Sequence, residues 1–319
     1  MSGSPGIVVT LGPCDDMRAE VFVRVPRPAA GPDGGSLRLE GTLAGPECRR
    51  ATTLPTTTRL VDLGPPPGDA GVATATLVGK AVLTEPAFWT PDLPNLYRLE
   101  ARIMDGGAVA VTHRLRIGLR RLGAKGRSFR LDGRRWVPRG VSVERTAFDV
   151  DTLRDQAATA CVVSPDEPLC GRADADGVAV IAVLEEAMAP DAAAERIAGW
   201  ASHPAVVMAL VRQGTPPAEA AAIAAAVRGR KGTLLLGWTV DGGLPPPSVP
   251  AGIDWLAVVM DPDGSPHPSW RDAAPPVPLV AWGGTGGRAG CDALQARLAA
   301  WLLAGGERPP WDWAGYVVW

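Results

Sequence analysis

HPAVVMALVRQG, residues 203–214, is the stretch on which the fold reading turns. A His-Pro turn leads into an unbroken apolar run, Ala205–Val211, which stops at Arg212. A strand without polar alternation is buried on both faces, as in a parallel sheet covered by helices. Behind it, residues 217–228 open with proline and continue in alanine and glutamate, the start signals of a helix.

The same rhythm extends outward from this stretch. Apolar strands are expected at 135–143, 160–164, 178–184, 205–211, 233–239, 254–260, 277–282 and 314–319. Helices fit Asp149–Thr159, Pro190–Ala201, Pro217–Arg228 and Ala293–Leu303. Eight such strands in order predict a (β/α)8 TIM-type barrel over residues 123–319, shorter than the typical length of about 250 residues. Pro- and Gly-rich loops, GGLPPPSVPAG and PDGSPHPSWRDAAPP, replace the helices after strands five and six, so the barrel is a reduced one. Residues 1–122 read differently. Seven short, mostly alternating runs, from GIVVTLG to VAVTHRLRIG, are separated by Gly, Pro and Asp clusters and predict an immunoglobulin-like β-sandwich. The chain is thus multidomain, β followed by α/β.

Composition removes several classes of function. A net charge of −2 lacks the basic stripe that nucleic-acid binding requires. No apolar run reaches 18 residues, and MSGSPGIVVTLGP shows no signal-peptide pattern, so a cytoplasmic protein is expected. The five cysteines are odd in number and contain no C-x-x-C pair, and no metal-ligand spacing surrounds His113, His203 or His267. No cofactor and no metal are expected.

Five segments, in order, carry a resemblance. FWTPDLPNLYRLEARI (88–103), RIGLRRL (116–122), FRLDGRRWVPRGVSVE (129–144), ADADGVAVIAVLEE (173–186) and HPAVVMALV (203–211) resemble successive motifs of glycoside hydrolase family 2, the β-galactosidase, β-glucuronidase and β-mannosidase group. The likeness covers nearly the whole chain and omits that family's N-terminal sugar-binding jelly roll. It implies the same two-domain fold and, in the family, two carboxylates at the ends of strands four and seven. Retaining glycosidases need such a pair about 5–5.5 Å apart. Aligned on His203-Pro204, the family's Asn-Glu falls on Gln213 and Gly214, and the strand-seven nucleophile falls on Trp282. Neither glycine nor an indole supplies a carboxylate. The strand-one histidine position falls near Glu144 and the strand-two arginine near Val163.

Other residues are weighed against plain structural roles. Glu185, Glu186 and Asp241 follow strands and are candidates for a changed chemistry, against solvated loop carboxylates. The same holds for Asp261 and Asp263, and His203 reads as a structural hydrogen-bonding group. The Gly-rich WGGTGGRAGCDALQARL (282–298) offers either a phosphate cradle or a permissive loop. Trp136, Trp238, Trp255 and Trp282 line a sugar-stacking cleft or fill the core. Trp311, Trp313, Tyr316 and Trp319 are candidate partner-docking anchors, since no helix follows to cover them.

The resulting expectation is a pseudoenzyme that serves as a structural or accessory subunit of a larger protein assembly, with peripheral attachment to a membrane complex compatible with its aromatic tail. The alternative is a carbohydrate-binding protein using an aromatic-lined barrel mouth without hydrolysis. An exposed tryptophan at an open mouth favours the second; a mouth plugged by side chains excludes it.

Overall fold

The structure is a computed structural model describing residues 7–28, 37–64, 76–185, 188–272, 275–304, 306–307 and 309–319. It divides into two compact units, Met1–Trp89 with Leu93–Leu119, and Thr90–Asp92 with Arg120–Trp319. The main segment of the second unit thus begins three residues before position 123.

All seven strands of the first unit form where the alternating runs lie: β1 (Val8–Cys14), β2 (Arg18–Pro26), β3 (Arg38–Glu47), β4 (Thr56–Asp62), β5 (Thr76–Thr84), β6 (Leu96–Asp105) and β7 (Ala108–Ile117). They pair antiparallel in the order β1-β2-β5-β4-β3-β6-β7. Alternation supplies the core. Val21, Val23 and Val25 of β2 and Leu83 of β5 meet Leu39, Leu43, Leu99 and Ile103 of β3 and β6, all nearly fully buried. At the start of β6 the Tyr97 hydroxyl accepts a hydrogen bond from the Ala87 N–H at 2.9 Å, fixing the chain that leads into this strand.

The second unit opens with a three-stranded antiparallel sheet, β8 (Leu122–Lys125), β9 (Ser128–Leu131) and β10 (Arg134–Trp136). Eight parallel strands then close into a barrel: β11 (Arg139–Ser142), β12 (Thr159–Val163), β13 (Val180–Val183), β14 (Val206–Val211), β15 (Leu235–Asp241), β16 (Trp255–Val259), β17 (Leu279–Trp282) and β18 (Gly315–Val318). Between them run α1 (Val150–Asp155), α2 (Glu167–Asp176), α3 (Pro190–Ala201), α4 (Pro217–Val227), the four-residue α5 (Ser269–Asp272) and α6 (Gly287–Leu303).

Three details correct the sequence reading. The strand expected at 135–143 is interrupted at Pro138: its first part pairs in the small sheet and its second in the barrel. Helix α2 was not anticipated, although Asp166 caps it by accepting the Leu169 N–H at 2.9 Å and Gly177 closes it at φ 80°. Helix α6 starts at Gly287, six residues before Ala293.

Register fixes which side chains point into the barrel. Arg139 hydrogen-bonds Gln295 of α6 and stands 4.8 Å over the Tyr316 ring, so both face outward. Alternation turns Gly140 and Val317 inward. The inward set continues through Cys161, Ile181, Met208, Leu235, Gly237, Trp255, Ala257 and Val280 and returns to Val317 without a break in parity. At the N-terminal end Trp255 plugs the interior: its indole lies where a Gly237 side chain would stand, and Phe129 of β9 meets it edge-on at 6.3 Å.

The His-Pro turn is held at the same end. Asp174 accepts the Ala205 N–H at 2.8 Å and binds His203 Nδ1 at 2.7 Å, so the histidine is structural. The buried Arg120 guanidinium donates to the carbonyls of Pro204 and of Val206, the latter at 2.7 Å, and to Thr233 Oγ1 at 3.2 Å.

Burial of titratable groups gives a pH dependence. Burial pushes the Cys170 thiol up to about 12, Cys291 to about 11 and Tyr316 to about 12, and raises Cys161 as well. A group held neutral by the fold contributes stability that is complete below its unfolded pKa and is lost as pH rises toward its folded value. With thiols unfolding from the ordinary value of 9.0, the melting temperature is expected to hold from pH 7 to 8.5 and fall above about 9. Arg120, pulled down to about 10 by burial against the pull of Asp174, acts oppositely and only above that pH. A melting temperature flat to pH 10 would contradict this account.

Candidate functional site

The C-terminal ends of the parallel strands form the other mouth, where ligand sites of such barrels lie. Here the inward positions are Ser142, Val163, Glu185, Arg212, Asp241, Val259, Trp282 and, past β18, Trp319 by the same alternation. Some side chains at this end are exposed to solvent. Val163, inward by register, is 48% exposed and Trp319 is 51% exposed.

Trp282 ends β17 and is 4% exposed, and its indole Nε1 is buried with no hydrogen-bond acceptor. The Trp319 ring lies 5.4 Å from it at an interplanar angle of 47°. Backbone bonds hold the pair in place: Gly283 N–H donates to Val317 O at 3.0 Å, and Trp319 N–H to Gly284 O at 3.1 Å. A side chain at Gly283 would come within 2.8 Å of the Met260 carbonyl, so glycine there permits the close approach of the turn.

The carboxylates are spread around the rim. Glu185 is exposed, and its backbone carbonyl accepts from Arg212 Nη1 at 3.4 Å. Asp241 uses one oxygen to accept the Gly243 N–H at 2.8 Å, a turn-forming bond. Strand β14 separates the two, which places their backbones about 10 Å apart or more. Glu186 lies outside the described residues. Gln213 and Gly214 follow β14 in an exposed turn, with Gly214 at φ 82°. Asp261 and Asp263 are exposed in the loop after β16. Among the described residues no group of three or more His, Cys, Asp or Glu side chains converges as a metal site. No helix among them is long and apolar enough to cross a membrane.

The structure separates the tryptophans that the sequence grouped together. Trp255 is at the opposite end of the barrel, with Phe129. Trp136 also packs on Phe129, at 6.3 Å. Trp238 points away from the interior and donates its indole N–H to Thr215 O at 3.0 Å. Of those four, only Trp282 reaches the mouth. The docking cluster is corrected too. Trp311, Trp313 and Tyr316 are 6%, 1% and 2% exposed, because Trp311 and Trp313 stack edge-on at 5.5 Å and Tyr316 lies under Arg139. Trp319 alone of that group is exposed, and it belongs to the mouth. The signal that would have found it is position: Trp255 is the first residue of its strand, while Trp282 is the last of its own and Trp319 follows directly on β18.

Comparison with known proteins agrees with this architecture. Residues 14–120 match the family model "Glycosyl hydrolases family 2". No curated protein sequence matches the chain. Among solved structures, a glycosyl hydrolase family 2 member from Bacteroides cellulosilyticus superposes with a TM-score of 0.67 at 15% identity, over 98% of this chain and 45% of that one. A putative β-galactosidase from Bacteroides fragilis gives 0.65 at 17% identity, over 99% and 54%. A Bacteroides uniformis β-glucuronidase gives 0.64 at 14% identity, over 99% and 46%. The chain therefore spans about half the length of these structures. Residues 14–120 carry the sequence pattern of the family 2 glycosyl hydrolases, and the chain as a whole carries the fold of their β-rich and closed-barrel portion.

Proposed function

We propose that this protein is a non-hydrolysing member of the family 2 glycosidase group that binds a saccharide at its barrel mouth. The observation that carries this reading is the Trp282–Trp319 pair, with one half-exposed indole at the C-terminal ends of the barrel strands. Aromatic faces beside a few polar groups are the usual lining of a small-ligand site. Loss of hydrolysis is supported by the side chains at the aligned positions, Gln213, Gly214 and Trp282, none of which carries a carboxylate. A retaining pair requires about 5–5.5 Å between carboxyls.

We read the first unit as an immunoglobulin-like sandwich. Its order falls into β1-β2-β5-β4 and β3-β6-β7, the ABED and CFG sets of that fold, and Tyr97 occupies the place of its tyrosine corner. We read the second as a reduced TIM-type barrel, supported by its eight parallel strands and, among the described residues, by the lack of a full helix after β15 and β16. The accessory-subunit reading keeps less support, because its aromatic anchors are buried apart from Trp319.

The test is calorimetric titration of the protein with methyl glycosides. Trp319→Ala is expected to weaken binding roughly tenfold or more while costing no more stability than its ring contact with Trp282 supplies, about 0.5–1.5 kcal/mol. Unchanged affinity in the variant removes the mouth from consideration.

A further inference from the structure

The base of the barrel carries charge that neither the mouth nor the core uses. Residues 122–136, which form β8, β9 and β10, hold five basic side chains and one acidic one, in a chain whose net charge is −2. Register separates two faces of this small sheet. Phe129 and Trp136 stand opposite each other on the inner face, where Phe129 meets Trp255. The other parity sets Arg130 between Gly123 of β8 and Arg135 of β10, in one cross-strand row. Lys125, Arg130, Arg134 and Arg135 are all exposed. The one carboxylate, Asp132, lies 3.8 Å from Arg121, and none of those four side chains has an ion-pair partner among the described residues. Like charges directly opposite on neighbouring strands destabilise a sheet, so the Arg130–Arg135 pair calls for an anion that the protein does not supply. A Cβ on Gly123 would meet no atom within 4 Å, so the face is open beside Arg130.

The chemistry of this face selects its occupant. Small ligands take concave, mostly apolar sites, and a row of exposed guanidinium groups is neither. A stable protein interface has an apolar core, and no large apolar side chain between 122 and 136 is exposed. Single-stranded nucleic acid is held by stacking on aromatic rings, and both rings of this sheet lie on the inner face. An array of anionic headgroups needs only basic side chains brought near its surface. We infer that this sheet is the surface by which the protein adsorbs reversibly to a membrane containing anionic phospholipid. Arg130 and Arg135 together engage headgroup phosphates, and Lys125 and Arg134 flank them. The surplus of acidic groups elsewhere on the chain does not oppose this, because the Debye length at physiological salt is about 8 Å. The inference is independent of saccharide binding, which is placed at the other end of the barrel.

The experiment sediments the full chain with phosphatidylcholine vesicles prepared with and without phosphatidylglycerol. Binding is expected only where phosphatidylglycerol is present, and it should be lost in 1 M NaCl, where the Debye length falls to about 3 Å. Arg130→Gln and Arg135→Gln should each lower the partition coefficient roughly fivefold, and the double variant roughly twentyfold. Their melting temperatures should hold or rise, because a like-charge pair is removed. Arg212→Gln makes the same change of charge at the opposite end of the barrel and should leave partitioning unchanged. Equal sedimentation with both kinds of vesicle, or with neither, overturns the inference. So does an equal loss of binding from Arg212→Gln. Tighter binding to a DNA duplex or to a polyglutamate peptide than to the anionic vesicles overturns it as well, and assigns the face to nucleic acid or to an acidic protein.

Discussion

Arg120→Ala is expected to destabilise the barrel unit by about 3–5 kcal/mol, read as a shift of the urea midpoint with little change in slope. The guanidinium is buried and serves the carbonyls of Pro204 and Val206 together with Thr233 Oγ1. It joins the N-terminal ends of β14 and β15 in one network. Removing it leaves backbone acceptors without their donor in a dry site, where each costs about 1–3 kcal/mol. Arg120→Lys restores the charge but not the planar fork, so it should recover only part of the loss. A midpoint unchanged by Arg120→Ala would mean that the strand ends are held by their ladder bonds alone.

Trp255→Ala should cost a similar amount, about 3–5 kcal/mol, through the cavity it leaves at the base of the barrel. The indole is fully buried, sits over Gly237 and is met edge-on by Phe129. The reciprocal change tests the fit. A Cβ on Gly237 would lie 2.3 Å from the Trp255 ring, so Gly237→Ala should cost about 1–3 kcal/mol by overpacking. Combining Gly237→Ala with Trp255→Leu, which removes the ring, should cost less than the sum of the two single changes. Additive losses would show that the two positions do not share this space.

These two sites illustrate what the amino-acid pattern carries and what it leaves out. The parallel strands were legible because runs such as Val206–Val211 and Trp255–Val259 are apolar without alternation, which only burial on both faces explains. The seven strands of the first unit were legible for the opposite reason, since their period of two exposes one face. The roles of the tryptophans were harder to read. Trp238 and Trp255 both lie on strands, yet one faces outward and the other plugs the base, a difference set by register around the closed sheet. Strand parity at Arg139 is fixed by its partner Gln295, 156 positions along the chain, and no local window reports such a pairing. The break at Pro138 and the caps of α2, Asp166 and Gly177, were by contrast local signals available in the sequence.

The candidate site was legible in part. Gln213, Gly214 and Trp282 were placed by alignment to a motif, and the structure puts each at or just beyond a strand end at the mouth. The four aromatic residues near the C-terminus were expected as an exposed cluster. Burial of Trp311, Trp313 and Tyr316 against Arg139 and one another depends on tertiary contacts, and this transfers Trp319 from a docking role to the mouth.

The central claim is saccharide binding without hydrolysis, and one titration tests it directly. The protein is mixed with 4-nitrophenyl β-glucoside, and bound ligand and released nitrophenol are followed together. The account predicts saturable binding that Trp319→Ala weakens, with no nitrophenol released above the rate in buffer. Release that depends on the protein and is abolished by Glu185→Gln or Asp241→Asn would contradict it and return the barrel to the enzymes.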